Sequence, residues 1–268
     1  MSPPMARILI TGCSTGIGRA AASELADRGH HVVATARDPA SLEGLDVAQR
    51  LALDVVDDAS VAAVAAAVGE IDVLVNNAGV SARGAIESYP LDEARRLFET
   101  NVFGVLRTIG AFAPGMRERG AGLIVNVSSV EGVVSSPLGG IYSATKHALE
   151  AISDSLRLEI GHFGVRVVVI QPGYFATAMR EKKTPVPIDG TPYEGLRRQW
   201  DGADERLLGG PRPGADVVAR AIADVVEADD PPTRLPVGDD ALMVTAFRKQ
   251  LDDAAFEAAM RETLGLTW

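Results

Sequence analysis

The chain has 268 residues, of which 47% are hydrophobic, and its formal net charge is −10. A chain of this size can bury the core of one α/β domain, so residues 1–268 are expected to form a single domain. The acidic balance argues against nucleic acid or an anionic membrane as a partner, and neither a signal peptide nor a membrane span is visible. Cys13 is the only cysteine, which excludes an intrachain disulfide and predicts a cytoplasmic location. No group of histidines or cysteines has metal-ligand spacing, so no metal site is expected.

Short apolar, often β-branched runs alternate along the chain with alanine-rich helical stretches. Such alternation predicts a Rossmann-type doubly wound parallel sheet of about seven strands with helices on both faces. The predicted strands are residues 7–11, 32–35, 50–53, 73–75, 123–127, 165–170 and 234–237. The predicted helices are residues 19–28, 60–68, 91–119, 143–162 and 215–227.

Two regions interrupt this alternation. Residues 178–213 are rich in Pro, Gly, Arg and Asp and too long for an ordinary loop, so they are expected to form a partly helical substrate lid. Residues 239–268 are expected to form a tail of two helices. In the first, Leu242, Phe247 and Leu251 form the predicted apolar stripe, whereas Asp253 is predicted to cap the second and Gly265 to end it.

A glycine-rich loop follows the first predicted strand and opens the first helix. Gly12, Gly16 and Gly18 have the spacing G-x-x-x-G-x-G, which differs from the better-known G-x-G-x-x-G pattern. Glycine lets the backbone approach a ligand closely, and the free N–H groups of a helix N-terminus bind phosphate. The loop is therefore predicted to hold the pyrophosphate of a dinucleotide.

A tyrosine and a lysine on one helix face supply the candidate chemistry. Tyr142 and Lys146 are four residues apart, one helical turn. Free tyrosine ionises near pH ~10, but a lysine charge at ~4 Å in an effective dielectric of ~20 contributes about 4 kcal/mol, or roughly three pK units. This predicts a phenol able to transfer protons near neutral pH.

These motifs, taken together and in order, resemble the short-chain dehydrogenase/reductase family in its single-domain branch. The resemblance covers residues 7–238 and rests on motifs spread along that range. They are the 11–18 loop, Asp54-Val55, Asn76-Asn77-Ala78-Gly79, Asn101, Ser129, Tyr142, Lys146, and Pro172-Gly173 with Thr177.

The resemblance implies hydride transfer between a nicotinamide and a carbonyl or secondary alcohol, with four catalytic residues. Tyr142 would exchange the proton, Ser129 would hold the same oxygen, and Lys146 would hold the nicotinamide ribose and lower the pKa of the tyrosine. Asn101 would hold a backbone kink or a water that links Lys146 to solvent. The family's serine precedes its tyrosine by thirteen positions, which selects Ser129 and leaves Ser128 as a structural hydroxyl.

The end of the second strand predicts which cofactor is used. By resemblance the acidic position of NAD enzymes is Ala36, which cannot bind a ribose hydroxyl, and Arg37 follows it. A guanidinium pairs with a 2′-phosphate, so NADP(H) is favoured over NAD(H), with Asp38 as the alternative acidic residue. The implied cofactor-binding residues are Gly12, Ser14, Thr15, Gly16, Ile17, Gly18, Arg37, Asp54, Val55, Asn77, Ala78, Gly79, Tyr142, Lys146, Pro172, Gly173 and Thr177.

The residues expected around the substrate are mostly apolar. They are Val130, Val133, Val134, Pro137, Leu138 and residues 174–179, with Glu131 and Arg180 expected at the rim. This composition indicates a hydrophobic ketone or alcohol. By resemblance, the two long helices that hold Asn101 and Tyr142 would form a homodimer, with a tetramer as the alternative.

Three other functions remain open from the sequence. A cofactor sensor of the same fold would have lost the chemistry, but such proteins typically lack the tyrosine or the lysine, and both are present here. A lyase or epimerase acting on a sugar nucleotide would be longer, with different glycine spacing. The third alternative is the same oxidoreductase chemistry with NAD.

Overall fold

The computed structural model describes residues 5–177, 184–186 and 188–268. Its main sheet has seven parallel strands in the order β3-β2-β1-β4-β6-β7-β9, which confirms the predicted doubly wound architecture. These strands are β1 Arg7–Ile10, β2 His31–Ala36, β3 Gln49–Ala52, β4 Val73–Asn76, β6 Gly122–Val127, β7 Val165–Pro172 and β9 Arg234–Val237. Two short strands not predicted from the sequence, β5 Ala82–Arg83 and β8 Thr184–Pro185, pair with each other.

Helices cover both faces of the sheet. They are α1 Gly16–Asp27, α2 Asp58–Val68, α3 Leu91–Phe98, α4 Gly104–Arg119, α5 Gly140–Ile160, α6 Glu194–Trp200, α7 Ala203–Leu208, α8 Ala215–Glu227, α9 Asp239–Gln250 and α10 Asp253–Leu264. Side chains alternate along each strand. Leu9 and Leu74 therefore face α2, α4 and α5 on one side of the sheet. Ile8 and Ile10 face α1 and α8 on the other. Within the described residues, no helix is both long and apolar enough to cross a membrane.

The predicted continuous helix over residues 91–119 is wrong at its centre. A π-helical turn, Glu99–Phe103, separates α3 from α4. The cause lies in Asn101, whose side chain bonds the backbone of Val80 outside the helix. A π-turn adds one residue to the helical turn, and such turns are common at functional sites.

The tail differs from its prediction in two details. Asp252, not Asp253, caps α10 by accepting a hydrogen bond from Ala255 N at 2.8 Å, whereas Gly265 ends this helix in the left-handed conformation as predicted. Leu242 was expected in the apolar stripe of α9 but is 53% exposed. The buried face of α9 is made by Ala241, Val244 and Thr245, because this face packs on the turn that follows β6.

Part of the predicted lid segment is helical. Helices α6 and α7 lie within residues 178–213, and Trp200 and Ala203 pack with Leu264 of the tail in a small apolar cluster. Residues 178–183 and 187, which include Met179 and Arg180, lie outside the described part of the chain.

Candidate active site

A cavity of about 540 Å³ opens at the carboxyl ends of the parallel strands. Open α/β sheets bind their ligands at this edge. Every residue predicted to bind the cofactor, from Gly12 to Thr177, lines this cavity except Gly18. The fold therefore brings together residues that were predicted from separate segments, namely the loops after β1, β2, β3, β4 and β7 and the start of α5.

Gly18 has a packing role behind the cavity wall. A Cβ on this residue would lie 2.3 Å from Asn77 Nδ2 and 2.5 Å from the carbonyl oxygen of Gly12. Asn77 Nδ2 occupies this space because it donates to the carbonyls of Thr11 and Gly12, at 2.9 and 3.1 Å. Thr11 Oγ1 in turn accepts from the backbone N–H groups of Asn77 and Ala78. These bonds fix the glycine loop against the turn after β4.

The glycine loop has the shape and the donors that a pyrophosphate needs. Gly12 has φ of 76°, and a Cβ there would lie 2.7 Å from the Cα of Ala78, so only glycine fits. Gly16 begins α1, and the N-cap residue Thr15 makes no side-chain capping bond. The first N–H groups of α1 thus have no capping side chain and point toward the cavity, where the helix dipole favours an anion.

Arg37 and Asp38 differ in what they do at the end of β2. Arg37 is exposed and lines the cavity, and among the described residues it has no ion-pair partner. Asp38 caps the following 3₁₀ turn, Pro39–Leu42, by accepting from Ala40 N at 3.0 Å. The carboxylate therefore has a local backbone partner, whereas the guanidinium faces the ligand space.

Ser129, Tyr142 and Lys146 meet on one wall of the cavity. Ser129 follows the end of β6, where its hydroxyl accepts from Glu131 N at 3.1 Å. Tyr142 is the third residue of α5, and Lys146 lies one turn further along that helix. Lys146 Nζ donates to the carbonyl of Val127 at 2.8 Å and lies 5.8 Å from the centre of the tyrosine ring.

The pKa of Tyr142 is not lowered as expected from its lysine. Burial, followed by the negative charge of Glu131, raises the pKa of Tyr142 above its usual value, while a hydrogen bond with Ser129 lowers it. Burial also disfavours the charged form of the lysine. It lowers the pKa of Lys146 to about 8, although the negative charge of Glu150 opposes this shift. The expectation is wrong because the ammonium is directed at the Val127 carbonyl and is itself desolvated.

Asn101 does not line the cavity, but its side chain links the turn after β4 to α5. Its side chain accepts from Val80 N at 2.8 Å, donates to Val80 O at 2.9 Å and donates to Thr145 Oγ1 at 3.0 Å. Thr145 lies between Tyr142 and Lys146 in the sequence. Asn101 thus fixes the turn after β4 to the helix that carries both residues.

A buried amide network below the site was missed from the sequence. Asn76 Nδ2 donates to Asn126 Oδ1 at 2.9 Å, and Asn76 Oδ1 accepts from Thr108. Asn126 Nδ2 then donates to Ser153 on α5 at 2.9 Å. The network joins β4, β6, α4 and α5. The signal available in the sequence was an asparagine at the same position of two adjacent buried strands.

A second, mostly apolar cavity of about 390 Å³ adjoins the first. The two share Val130, Glu131 and Tyr174 as wall residues. Val134 and Pro137 line it as expected, but Val133 does not, and Leu138 packs with Ala85 and Ile188 in a separate cluster. Much of the remaining wall comes from α6 and α7, which lie in the predicted lid segment, and from the tail, which the sequence did not place beside the substrate. These apolar wall residues are Leu196, Trp200, Leu207, Val244, Phe256, Met260, Leu264, Leu266 and Trp268.

Glu131 is buried and does not lie at a solvent-exposed rim as expected. Only 7% of it is exposed. Its Oε2 accepts hydrogen bonds from Ser136 at 3.0 Å and from Ser143 at 2.8 Å. Burial follows because these bonds draw the carboxylate toward the start of α5, directly beside Tyr142.

Asp240 joins the tail to the loop after β7. Its carboxylate accepts from Tyr174 N at 2.7 Å and fills the space next to Gly173, where a Cβ would lie 2.2 Å from its oxygens. Burial raises the pKa of Asp240, while hydrogen bonds from backbone N–H groups lower it. The first turn of α9 thus supports the segment predicted to lie over the nicotinamide.

Comparison with known proteins identifies the family. A family model described as short chain dehydrogenase matches residues 6–186. The chain belongs to this family. It is 33% identical to a 3-ketodihydrosphingosine reductase from Bacteroides thetaiotaomicron, over 95% of this chain and 96% of that protein. It is 35% identical to human retinol dehydrogenase 8, over 85% of this chain and 79% of that protein. The crystal structure of a short-chain dehydrogenase from Streptomyces avermitilis is 36% identical and superposes with a TM-score of 0.80 over 97% of this chain and 99% of the other.

Solved structures of similar proteins contain both types of cofactor. A 3-ketoacyl-(acyl-carrier-protein) reductase from Brucella melitensis was solved in complex with NADH. It is 26% identical to this chain and superposes with a TM-score of 0.73 over 86% of this chain and 96% of the other. An alcohol dehydrogenase from Thermococcus sibiricus was solved in complex with 5-hydroxy-NADP. It is 27% identical to this chain and superposes with a TM-score of 0.72 over 87% of this chain and 96% of the other. The cofactor preference of this chain therefore has to be argued from its own residues.

Proposed function

We propose that the protein is an NADP(H)-dependent dehydrogenase/reductase that interconverts a hydrophobic ketone and its secondary alcohol. The observation that carries the proposal is the convergence of Ser129, Tyr142 and Lys146 on the wall of a cavity whose other end is the glycine loop. The nicotinamide cofactor would supply or accept the hydride. The chain's own residues would bind the carbonyl oxygen and move its proton.

Tyr142 is the proposed proton donor in the reducing direction. Its raised pKa keeps the phenol protonated, which is the form that donates to a developing alkoxide. Ser129 is the second donor to the same oxygen and fixes its position. Lys146 would bind the nicotinamide ribose, and Asn101 acts through Thr145 by holding α5 in place.

NADP(H) is the proposed cofactor because the charges at the end of β2 fit a 2′-phosphate. Arg37 provides a guanidinium on the cavity wall that has no ion-pair partner among the described residues, and the competing Asp38 carboxylate accepts a hydrogen bond from a backbone turn. Ser14 and Thr15 also line the cavity and would supply further hydroxyl donors. An NAD enzyme would need a carboxylate at this position.

A hydrophobic substrate is proposed from the second cavity, which opens beside Tyr142 through shared wall residues. Two relatives carry names that agree with this class, 3-ketodihydrosphingosine reductase and retinol dehydrogenase 8. We further propose that residues 1–268 work as one domain. The helices α6 and α7 would act as a substrate lid, and the tail would form the far wall.

The test is NADPH oxidation with a panel of long-chain and aryl ketones, alongside fluorescence titration of NADPH and NADH. Turnover that disappears in Tyr142→Phe supports the proposal. Tight cofactor binding without turnover of any ketone or alcohol would favour the sensor alternative. Equal use of NADH and NADPH would refute the cofactor assignment.

A homodimer is the proposed assembly, in a reducing, cytoplasmic setting. Large apolar side chains are exposed around the two long helices, including Phe103 and Leu106 near the start of α4 and Leu158 on α5. Exposed apolar groups of this size mark interaction surfaces. Light scattering would distinguish a dimer from the alternative tetramer. The cytoplasmic setting rests on the single cysteine, Cys13, which is buried and free.

A further inference from the structure

A buried carboxylate lines the passage between the two cavities. Glu131 lines both cavities and is nine-tenths buried. The hydroxyls of Ser136 and Ser143 both donate to its Oε2. Across the described residues, no lysine or arginine forms a salt bridge with it. Burying a carboxylate without a cation is costly, so a cationic ligand group placed here would be stabilised.

The other two acids of the apolar cavity are already compensated. Asp240 accepts the N–H of Tyr174 at 2.7 Å and takes further backbone bonds at the start of α9. Glu257 pairs with Arg261 at 2.9 Å, and this arginine is the only cation among the described residues of the wall. Glu131 is therefore the acid whose charge remains available inside the cavity.

The charge of Glu131 acts where the reaction would occur. Its Oε2 accepts a hydrogen bond from Ser143, the residue next to Tyr142 on α5, and its negative charge raises the pKa of the Tyr142 phenol. The cavity beyond Glu131 is lined by Trp200, Phe256, Met260 and other apolar groups. A positive group at Glu131 and an apolar chain beyond it would thus both belong to a molecule whose carbonyl lies at Tyr142.

We infer that the substrate is an amphipathic amino ketone, or the corresponding amino alcohol. Its ammonium would lie close to the carbonyl and bind Glu131, and its alkyl chain would fill the cavity between the α6–α7 lid and the tail. This inference rests on the proposed function, and it names the substrate class of the same site.

The main experiment compares two ketones that differ only in the amine. An aminomethyl ketone and a methyl ketone with the same long alkyl chain are reduced with NADPH at a pH where the amine is protonated. The native protein should prefer the amino ketone by about tenfold or more in kcat/KM, as expected for a charge-assisted hydrogen bond. In Glu131→Gln this preference should fall to near one. Glutamine keeps an oxygen that can accept from both serines, so the variant removes the charge while preserving the loop.

A hydroxymethyl ketone of equal length separates charge from hydrogen bonding. The native protein should use it less well than the amino ketone, because its hydroxyl can donate to the carboxylate but supplies no countercharge. A native protein that shows no preference for the amino ketone would overturn the inference, as would a preference that survives in Glu131→Gln. The second result would mean that Glu131 stabilises the loop but does not bind the ammonium.

A binding measurement keeps this inference distinct from the proposed reaction. Calorimetric titration of the NADPH-loaded protein with a long-chain alkylamine and the alkanol of equal length requires no turnover. Tighter binding of the amine, lost in Glu131→Gln, supports the cation site even if no ketone is reduced, in which case the proposed reaction alone fails. Equal binding of amine and alkanol, with normal turnover of the methyl ketone, would instead refute the inference while the proposed reaction stands.

Discussion

The buried lysine predicts an unusual pH dependence of stability. The pKa of Lys146 falls from 10.5 to about 8 because the ammonium is desolvated in the folded protein. This difference corresponds to about 3 kcal/mol between the two protonation states. In the range between the two pKa values, the unfolded chain binds more protons at this position than the folded one. Stability from this group therefore rises as the pH increases through this range.

The contribution can be isolated with Lys146→Met, which removes the charge and keeps the length of the side chain. The free energy of unfolding would be measured in urea at pH 8, 9 and 10 for both proteins. Between pH 8 and 10, the free energy of unfolding of the native protein should rise by about 2 kcal/mol relative to that of Lys146→Met. Taking the difference cancels other groups that titrate in this range, such as the Cys13 thiol, whose pKa burial raises to about 12.

Lys249→Met is the matched control, because it removes an exposed lysine from α9. Its difference from the native protein should stay level across the same pH range. A level difference for Lys146→Met as well would refute the reasoning. It would mean that the ammonium at this position is as well solvated in the folded state as in the unfolded one.

Three further predictions concern the cofactor and the reaction. Tyr142→Phe should lose turnover by about a hundredfold or more while its NADPH dissociation constant stays within about twofold, because only the proton donor is deleted; retained turnover would contradict the mechanism. Arg37→Ala should weaken NADPH binding by roughly ten- to a hundredfold and leave NADH binding nearly unchanged, since a charge-assisted contact contributes about 1.5–3 kcal/mol. Equal effects on both cofactors would place the phosphate elsewhere. Gly18→Ala should lower the urea midpoint and weaken both cofactors together, because the new methyl group displaces Asn77; a normal midpoint would show that the loop tolerates it.

The sheet and the cofactor cavity were predictable because both depend on local sequence signals. Strands of a parallel sheet end at one edge, so residues placed just after predicted strands, such as Asp54, Asn77 and Ser129, had to meet there. Glycine spacing and the Tyr142–Lys146 interval added chemistry that requires no knowledge of packing. Such signals identify residues whose role depends only on the strand or helix that carries them.

The substrate side was predictable only in part, because its wall joins segments far apart in the chain. Trp200 and Met260 meet across the second cavity only after α6, α7 and the tail have packed, and no periodicity in either segment indicates the other. The same reason explains Leu242, which has the spacing of a core residue but lies on the exposed face of α9. Glu131 was expected at the rim, and its burial was not predicted because it depends on two serines that lie in a loop and a helix.

The Asp240 carboxylate gives the two binding sites a common support. It holds the backbone of Gly173 and Tyr174 next to the cofactor cavity, and its helix also contributes Val244 to the apolar cavity. Any ligand that shifts α9 must therefore also shift the segment beside the nicotinamide site. Cofactor and substrate affinities would then be thermodynamically linked, and the factor by which one ligand tightens or weakens the other would be the same in both orders of addition.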